Sequence, residues 1–267
     1  MINQRKGRII IRIGQSHLSF SALDPMQADD PVTYEPYVMK SGISLSANLR
    51  EALSEADLMQ MDYKKAVALI DTPVLLIPIE QFEEDNVETM YLHAYPRKEM
   101  GMVLFNVLSD LNAVAAFAIS KDLNTVLRDN FIDIQMMPVM SPVWRHLHQR
   151  SFTGNRNKVY GYFHDRKLDI FSFHQNRFKF CNQFEASRPQ DALYFLLYVW
   201  KQLLLDNETD EMHLVGLSGE MTELAGELRK YIQKVYVINP SAEFNRAPAT
   251  KIKDMPFDLM TLITKGR

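Results

Sequence analysis

The sequence predicts an α/β protein of two lobes, with a mixed sheet covered by helices in each lobe. Three closely spaced strand patterns, a long helical pattern and then alternating strands and helices occur twice along the chain. A polar, glycine-containing segment at 151–158 separates the two series. We therefore expect an N-terminal lobe at residues 1–151 and a C-terminal lobe at residues 152–267.

The first lobe opens with three strand patterns. Residues 9–13 and 18–23 are rich in β-branched and alternating apolar side chains, with a break at Gly14. Residues 24–31 are bounded by prolines and rich in aspartate, which predicts a loop. The third pattern, 32–40, contains Pro36, which indicates a sheet edge because proline cannot donate to a strand ladder.

A helix follows these strands. Leu45, Leu49 and Leu53 recur at four-residue spacing and share one helix face, and Ser44 or Ser46 can cap the N-terminus. The remaining patterns of the first lobe are strands at 65–71 and 73–79, a hairpin at 102–119, a helix at 121–130, a short strand at 132–134 and a helix at 142–150.

The second lobe repeats this order, with strand patterns at 159–163, 168–173 and 177–184. Its long helix begins at a Ser-x-x-Gln capping box, Ser187 to Gln190, and its apolar face runs from Leu193 to Leu204. The remaining patterns are a strand at 212–217, a helix with an apolar stripe of Met221, Leu224, Ala225 and Leu228, a strand at 234–239 and a terminal helix at 255–264.

The overall composition is that of a folded protein from a reducing compartment. Hydrophobic residues make up 46% of the 267 residues and charged residues 24%, close to the globular average. The net charge of −3 supplies no field for nucleic acid. Cys181 is the only cysteine, so we expect no disulfide and a cytoplasmic location. The longest apolar run, 192–200, is shorter than the ~20 residues that span a membrane, so no span is expected.

The order of elements resembles the actin, Hsp70 and hexokinase superfamily, and also an uncharacterised bacterial family with an actin-like ATPase (ribonuclease H-like) fold. The resemblance covers nearly the whole chain in topology, but its motifs are weak. It implies ATP with magnesium, held between the lobes by glycine-containing turns. The residues that would bind such a cofactor, if a nucleotide binds at all, are Gly14, Ser16, Gly216, Ser218, Gly219 and Glu220.

Two of the three implied turns depart from the family pattern. Arg12 stands where the resemblance implies an aspartate for the metal-bound water, and a cation there cannot hold a magnesium hydration shell. The second turn falls within 162–171, and no glycine occurs between Gly161 and Gly216 to allow close approach to a phosphate. Asp165, next to an arginine and a lysine, predicts an ordinary polar β-turn. We therefore expect no cofactor, with magnesium–ATP as the alternative.

The third turn, 215–220, has two interpretations. It is similar in position to the adenosine loop of the superfamily, between a strand and a helix. Alternatively, Gly216 ends the strand, Ser218 caps the helix and Glu220 lies at the positive end of the helix dipole.

Other clusters of polar residues in the sequence have structural interpretations that involve no ligand and no catalysis. His146 and His148 are two positions apart on a predicted helix and cannot bind one metal, so we expect a solvated surface there, together with Arg156 and Lys158. The turn at 206–211 lacks the glycine and distal glutamate of a calcium loop. Cys181 has no activating neighbour in sequence.

These observations favour a non-catalytic binding or adaptor protein, similar in logic to the actin-like cytoplasmic domains of bacterial secretion and pilus assembly. The sequence provides no catalytic residue and no metal ligand set, and we expect a protein partner or self-association. Two alternatives remain open: a nucleotide-binding protein or slow ATPase, and an enzyme of another class that uses the cleft between the lobes.

Overall fold

The structure is a computed structural model that describes residues 7–23, 31–61, 63–96, 101–152 and 156–265. The chain forms two compact units, one from residues 1–109 and 113–141 and the other from residues 110–112 and 142–267. Residues 142–151 thus belong to the second unit in this division, and the lobe boundary at residues 151 and 152 stays a prediction.

The first unit is built on a five-stranded mixed sheet of order β3-β2-β1-β4-β8. Strands β1, β2 and β3 pair antiparallel, whereas β4 and β8 continue the sheet in parallel with β1. The strand bounds are β1 Arg8–Ile13, β2 His17–Leu23, β3 Val32–Val38, β4 Lys65–Ile70 and β8 Asp133–Pro138. Pro36 lies in the edge strand β3, as its missing N–H predicts.

Two helices cover one face of this sheet, α1 (Leu45–Glu55) and α3 (Lys121–Asn130). Ser44, one of the two predicted caps, accepts a hydrogen bond from the amide of Ala47. The helices bury the predicted leucine stripe together with alternate residues of β1, and the core they share includes Leu49, Leu53, Leu123, Leu127, Ile9 and Ile11.

A second, three-stranded antiparallel sheet lies between β4 and β8 in sequence, with the order β5-β7-β6. Its elements are β5 Val74–Pro78, α2 Val87–Ala94, β6 Met102–Leu108 and β7 Ala113–Ile119. Val87 and Tyr91, one helical turn apart on α2, pack with Ile77 and Val114 in a separate small core. The sequence predicted these strands but not the helix α2.

The sheet of the second unit has the order β11-β10-β9-β12-β13, which matches the first sheet strand for strand. Again three antiparallel strands come first and two parallel strands follow. The bounds are β9 Lys158–His164, β10 Lys167–His174, β11 Arg177–Glu185, β12 Glu211–Val215 and β13 Val235–Val237. The predicted equivalence of the first strands of the two lobes, β1 and β9, is therefore confirmed.

One face of the second sheet packs against α5 (Pro189–Gln202) and α6 (Leu224–Leu228) in an apolar core. The capping box predicted at Ser187 is wrong, because the N-cap of α5 is Arg188 and no side chain bonds to the first amides. The proline of the first turn, Pro189, occupies a position whose missing N–H costs nothing.

The other face contacts α4 (Met140–Ser151) and α8 (Phe257–Lys265), and α7 (Pro240–Glu243) contacts α4 through Glu243 and His146. The solvated surface predicted for His146 and His148 is wrong. His146 Nε2 lies 2.8 Å from Glu243 Oε1, and His148 Nε2 lies 3.0 Å from the carbonyl oxygen of Gln175. Lys158 is also buried, with its Nζ donating to the carbonyl of Arg150 over 3.2 Å.

Candidate functional site

A cavity of the second unit lies at the carboxyl ends of the parallel strands β9 and β12. Its volume is about 340 Å³. One wall is the β9–β10 hairpin from Phe163 to Lys167, and the other is the loop after β12, including Gly216, Ser218 and Glu220. Crevices outside the carboxyl ends of parallel strands are the usual ligand sites of α/β sheets.

The hairpin wall is held in a costly backbone conformation. Only Asp165 and Arg166 connect β9 to β10, and their φ angles are +45° and +64°. Two successive positive φ values are typical of a type I′ hairpin turn, in which glycine or asparagine is the usual residue. A left-handed conformation costs an L residue such as arginine roughly 1–2 kcal/mol. The expected polar turn is present, and it places Asp165, Arg166 and Lys167 on the cavity wall.

Beneath this turn, His164 joins a buried polar network. Its Nε2 lies 2.7 Å from Asp169 Oδ2, which also accepts a hydrogen bond of 3.0 Å from Gln183 Nε2. On the other side of the ring, His164 Nδ1 lies 3.5 Å from Asp165 Oδ2. The imidazole stacks on Tyr162, with ring centroids 4.8 Å apart. The ring is thus fixed in orientation beside the cavity.

Gly216 in the opposite wall is required by the fold. Its φ is +80°, and a Cβ atom at this position would lie 2.2 Å from the carbonyl oxygen of Phe163 at the end of β9. The close backbone approach that glycine allows is therefore used to seat the loop against its neighbouring strand. Gly219 has a φ of +54° and no heavy atom within 4 Å of the equivalent Cβ, so its requirement is conformational alone.

The segment after Gly216 does not form the helix N-terminus that the sequence predicted. A 3-10 turn occupies Gly219–Glu223, and α6 itself has only five residues. Ser218 precedes the turn without a side-chain capping bond, so its predicted capping role is wrong. A short helix preceded by a 3-10 turn has a weak dipole, and the Glu220 carboxylate on the cavity wall opposes an anion.

The first turn of the chain lies in the first unit. The Gly14 amide donates to the carbonyl of His17 over 3.0 Å, and Ser16 Oγ lies 2.7 Å from His17 Nδ1. The Ser16 carbonyl accepts from the amide of Met39. Arg12, two residues earlier, is buried within β1 at 4% exposure. The Gly14 amide and the Ser16 hydroxyl and carbonyl groups are therefore bonded to other residues of the first unit.

A family model described as "Protein of unknown function (DUF3822)" matches residues 1–235. The chain belongs to this family. A crystal structure from Bacteroides thetaiotaomicron, described as a protein with an actin-like ATPase fold and unknown function, is 29% identical with a TM-score of 0.82. The alignment covers 95% of this chain and 100% of that one. The fold of this DUF3822 chain is therefore the actin-like ATPase fold that the resemblance implied.

A more distant structure shares this fold. A chain of the "PilM-PilN type IV pilus biogenesis complex" aligns with a TM-score of 0.57 at 12% identity, over 96% of each chain. No protein of curated function matches the DUF3822 chain. Within the described residues, no helix combines the length and apolar character needed to cross a bilayer.

The residues present do not fit the nucleotide-binding turns that the resemblance implies. The second turn has no glycine, and Gly216 of the third is turned against Phe163. The structure brings Gly216, Ser218 and Glu220 together at one cavity, whereas Gly219 does not line it. Gly14 and Ser16 lie in the other unit.

The sequence reasoning missed His164, Lys167 and Ser187 as cavity residues. A prediction of a two-residue turn between β9 and β10 would have identified His164 and Lys167, because such a turn pairs these two residues directly across the hairpin. Ser187 follows the edge strand β11, and no local pattern connects it with this site.

Cys181 on β11 keeps its expected inert character. Burial of its sulfur raises the pKa of the Cys181 thiol well above the ordinary value, and the nearby Asp169 charge raises it further. The thiol therefore stays protonated at neutral pH and is a poor nucleophile.

Proposed function

We propose that this DUF3822 protein is a non-catalytic, cytoplasmic binding or adaptor module that keeps the actin-like fold and lacks its nucleotide chemistry. The observation that carries the proposal is Arg12. The resemblance implies a carboxylate at this position to order the metal-bound water, and here a guanidinium is buried in β1. A cation repels magnesium and offers no oxygen ligand, so the substitution removes the metal chemistry at its centre.

The second unit supports the same conclusion independently. Backbone amides must be free and closely approachable to cradle phosphates. In this chain the hairpin that would be the second phosphate turn carries the side chains of Asp165 and Arg166 in place of glycine. At Gly216, in the turn that resembles the adenosine loop, the close approach is taken by the Phe163 carbonyl. The actin-like fold also occurs in the PilM-PilN pilus biogenesis complex, so the fold is compatible with a role in a protein assembly.

The test is a comparison of partner binding with nucleotide binding. Cross-linking of the tagged full-length chain in its native cell, followed by mass spectrometry and reconstitution, should identify a protein partner or self-association at micromolar concentration. Thermal unfolding with millimolar magnesium–ATP should show no shift. The proposal fails if no partner forms and the purified chain turns over a small molecule.

The second candidate is a nucleotide-binding protein whose phosphate contacts come from other residues. The 340 Å³ cavity favours it, since ligand pockets commonly have volumes of about 300–1,000 Å³. Arg166 and Lys167 supply cations on one wall, and Ser187 and Ser218 supply hydroxyl groups. A saturable thermal shift with magnesium–ATP that Arg166→Ala abolishes would favour this candidate.

A further inference from the structure

The cavity of the second unit at the carboxyl ends of β9 and β12 has two walls of opposite charge. Arg166 and Ser187 lie on one wall, where the amide of Ala186 donates to the carbonyl of Arg166 over 3.2 Å. Ser218 and Glu220 lie on the other wall. Among the described residues, the side chains of Arg166, Ser187, Ser218 and Glu220 form no hydrogen bond or ion pair within the protein. Their polar groups are therefore available to a ligand.

The other ionisable groups of the walls are engaged with the protein. The His164 ring is held by the network described above, and its Nδ1 lies 3.5 Å from Asp165 Oδ2. Lys167 is buried and has a partner within the protein. In the described part of the chain, this leaves the exposed guanidinium of Arg166 and the exposed carboxylate of Glu220 to face the cavity. A ligand that pairs with both must carry an anionic group and a cationic group.

The cavity also has an apolar part. Phe163 and Ala186 belong to the apolar core under α5 and α6, and Met221 packs against that core. All three residues line the cavity. Aliphatic groups of a ligand that contact this part leave water, which adds affinity without adding charge.

Both walls are held in place by the main chain. The two-residue turn between β9 and β10 keeps Arg166 at a φ of +64°, and strained backbone at residues other than glycine is concentrated at functional sites. On the other wall, Gly216 lies against the carbonyl of Phe163, and the amide of Met221 donates to the carbonyl of Ser218 over 3.0 Å. A site that is already arranged loses less conformational entropy when its ligand binds.

We propose that this cavity binds a small zwitterion of the amino-acid class, with the carboxylate of the ligand at Arg166 and its ammonium group at Glu220. The cavity volume of about 340 Å³ is at the small end of the range for ligand pockets, about 300–1,000 Å³. The inference goes beyond the function proposed above, because it adds a small-molecule site that requires no protein partner.

The donors and acceptors of the two walls match such a ligand. A guanidinium presents a planar fork of donors that binds a carboxylate through two parallel hydrogen bonds, and the Ser187 hydroxyl beside it supplies another donor. On the other wall, the Glu220 carboxylate and the Ser218 hydroxyl accept hydrogen bonds from an ammonium group, which only donates. A nucleoside triphosphate fits less well, because it would bring several negative charges to the wall that carries Glu220.

The probes are the proteinogenic α-amino acids and a series of ω-amino acids of increasing length. Each is titrated into the full chain by isothermal calorimetry. Every amino acid that binds is then tested in two blocked forms: an N-acetyl derivative, which lacks the ammonium charge, and a carboxamide, which lacks the carboxylate charge. Magnesium–ATP is tested as a competitor of the bound amino acid.

We expect at least one amino acid to bind saturably and each blocked form to bind about tenfold more weakly or worse. Arg166→Gln should remove the difference between the free acid and its carboxamide, whereas Glu220→Gln should remove the difference between the free amine and its N-acetyl derivative. The matched controls are Arg188→Gln and Glu223→Gln, at exposed residues outside the cavity walls, and they should preserve both differences.

Circular dichroism and the urea midpoint of each variant separate a loss of binding from a loss of fold. The proposal is overturned if none of the probes binds, if the blocked forms bind as tightly as the free amino acid, or if the controls lose as much affinity as the cavity variants. Competition by magnesium–ATP would also overturn it, because the cavity would then be a nucleotide site.

A failure here can be separated from a failure of the proposed function. If no amino acid binds while cross-linking identifies a protein partner, the zwitterion site is wrong and the binding module stands. If an amino acid binds and is turned over while no partner forms, the site stands and the proposed function fails.

Discussion

Gly216 is the residue whose replacement best tests how the loop after β12 is built. In Gly216→Ala the new methyl group would lie 2.2 Å from the Phe163 carbonyl oxygen, whereas ordinary contact begins at 3.4 Å. The end of β9 or the loop must therefore move. We expect a loss of about 1–2 kcal/mol from the positive φ and a further 1–3 kcal/mol from overpacking, in total about 2–5 kcal/mol.

Two other glycines of the same segment provide matched controls. Gly219 also has a positive φ but open space around its Cβ position, so Gly219→Ala should cost only about 1–2 kcal/mol. Gly226 lies in α6 with no neighbour within 4 Å and no positive φ. Gly226→Ala should therefore stabilise the protein by about 0.5–1 kcal/mol through helix propensity.

The assay is urea unfolding followed by tryptophan fluorescence. Both tryptophans of the chain, Trp144 and Trp200, lie in the second unit, so the signal reports on that unit without assuming one transition for the whole chain. Stabilities are compared through the urea concentration at the midpoint of unfolding, among variants whose unfolding free energy depends on urea with the same slope. Equal destabilisation by Gly216→Ala and Gly219→Ala would refute the reasoning, because the contact with the β9 carbonyl would then contribute nothing.

Three further predictions concern charge and ligand binding. The hydrogen bond from His146, and then the charge of Arg150, hold the pKa of Glu243 below its ordinary value. The stability that the ionised Glu243 contributes is therefore complete above the ordinary carboxyl pKa and is lost as the pH falls through the lowered pKa of Glu243. Glu243→Gln lacks this titrating group, so its melting temperature should fall less than that of the parent between about pH 5 and pH 2. Arg166→Gly should raise the free energy of unfolding by about 0.5–1 kcal/mol, because glycine adopts the φ of +64° without strain; a destabilised variant in urea would contradict this. A ligand at one hundred times its Kd stabilises the native state by about 2.7 kcal/mol, which a thermal scan detects. Because of Arg12, we expect millimolar magnesium–ATP to leave the melting temperature unchanged. A saturable rise of several degrees would contradict this expectation.

The two large sheets were predictable because their signals are local. Alternation and β-branched residues mark β1 and β9, and regular leucine spacing marks α1 and α5, so the repeated order of elements could be read along the chain. Helix α2 was missed because it buries only Val87 and Tyr91, too few positions to establish a period. The grouping of β5, β6 and β7 in their own sheet depends on pairings between distant strands.

The candidate site was only partly predictable for the same reason. The sequence identified the glycines of the loop after β12 as positions of close backbone approach. It allowed either a ligand or another part of the protein as the neighbour at these positions. The structure places the Phe163 carbonyl against Gly216, a neighbour that no local pattern predicts. His146 was predicted to be solvated because its hydrogen-bond partner, Glu243, is 97 residues away in the sequence, and no local pattern indicates this contact.

The polar face of the second sheet adds an energetic argument about where function lies. Burying ionisable groups costs several kcal/mol each unless they are paired, and even paired groups are commonly no better than apolar residues of the same volume. Such pairs include His164 with Asp169, and Tyr162 with Asp258, whose oxygen atoms are 2.9 Å apart. The face that carries them ends at the cavity, whereas the opposite face, under α5 and α6, is apolar. Stability alone would favour the apolar solution on both faces. The fixed His164 ring below the hairpin is therefore best understood as holding the cavity wall in its strained conformation, since Asp165 and Arg166 follow it directly in the chain.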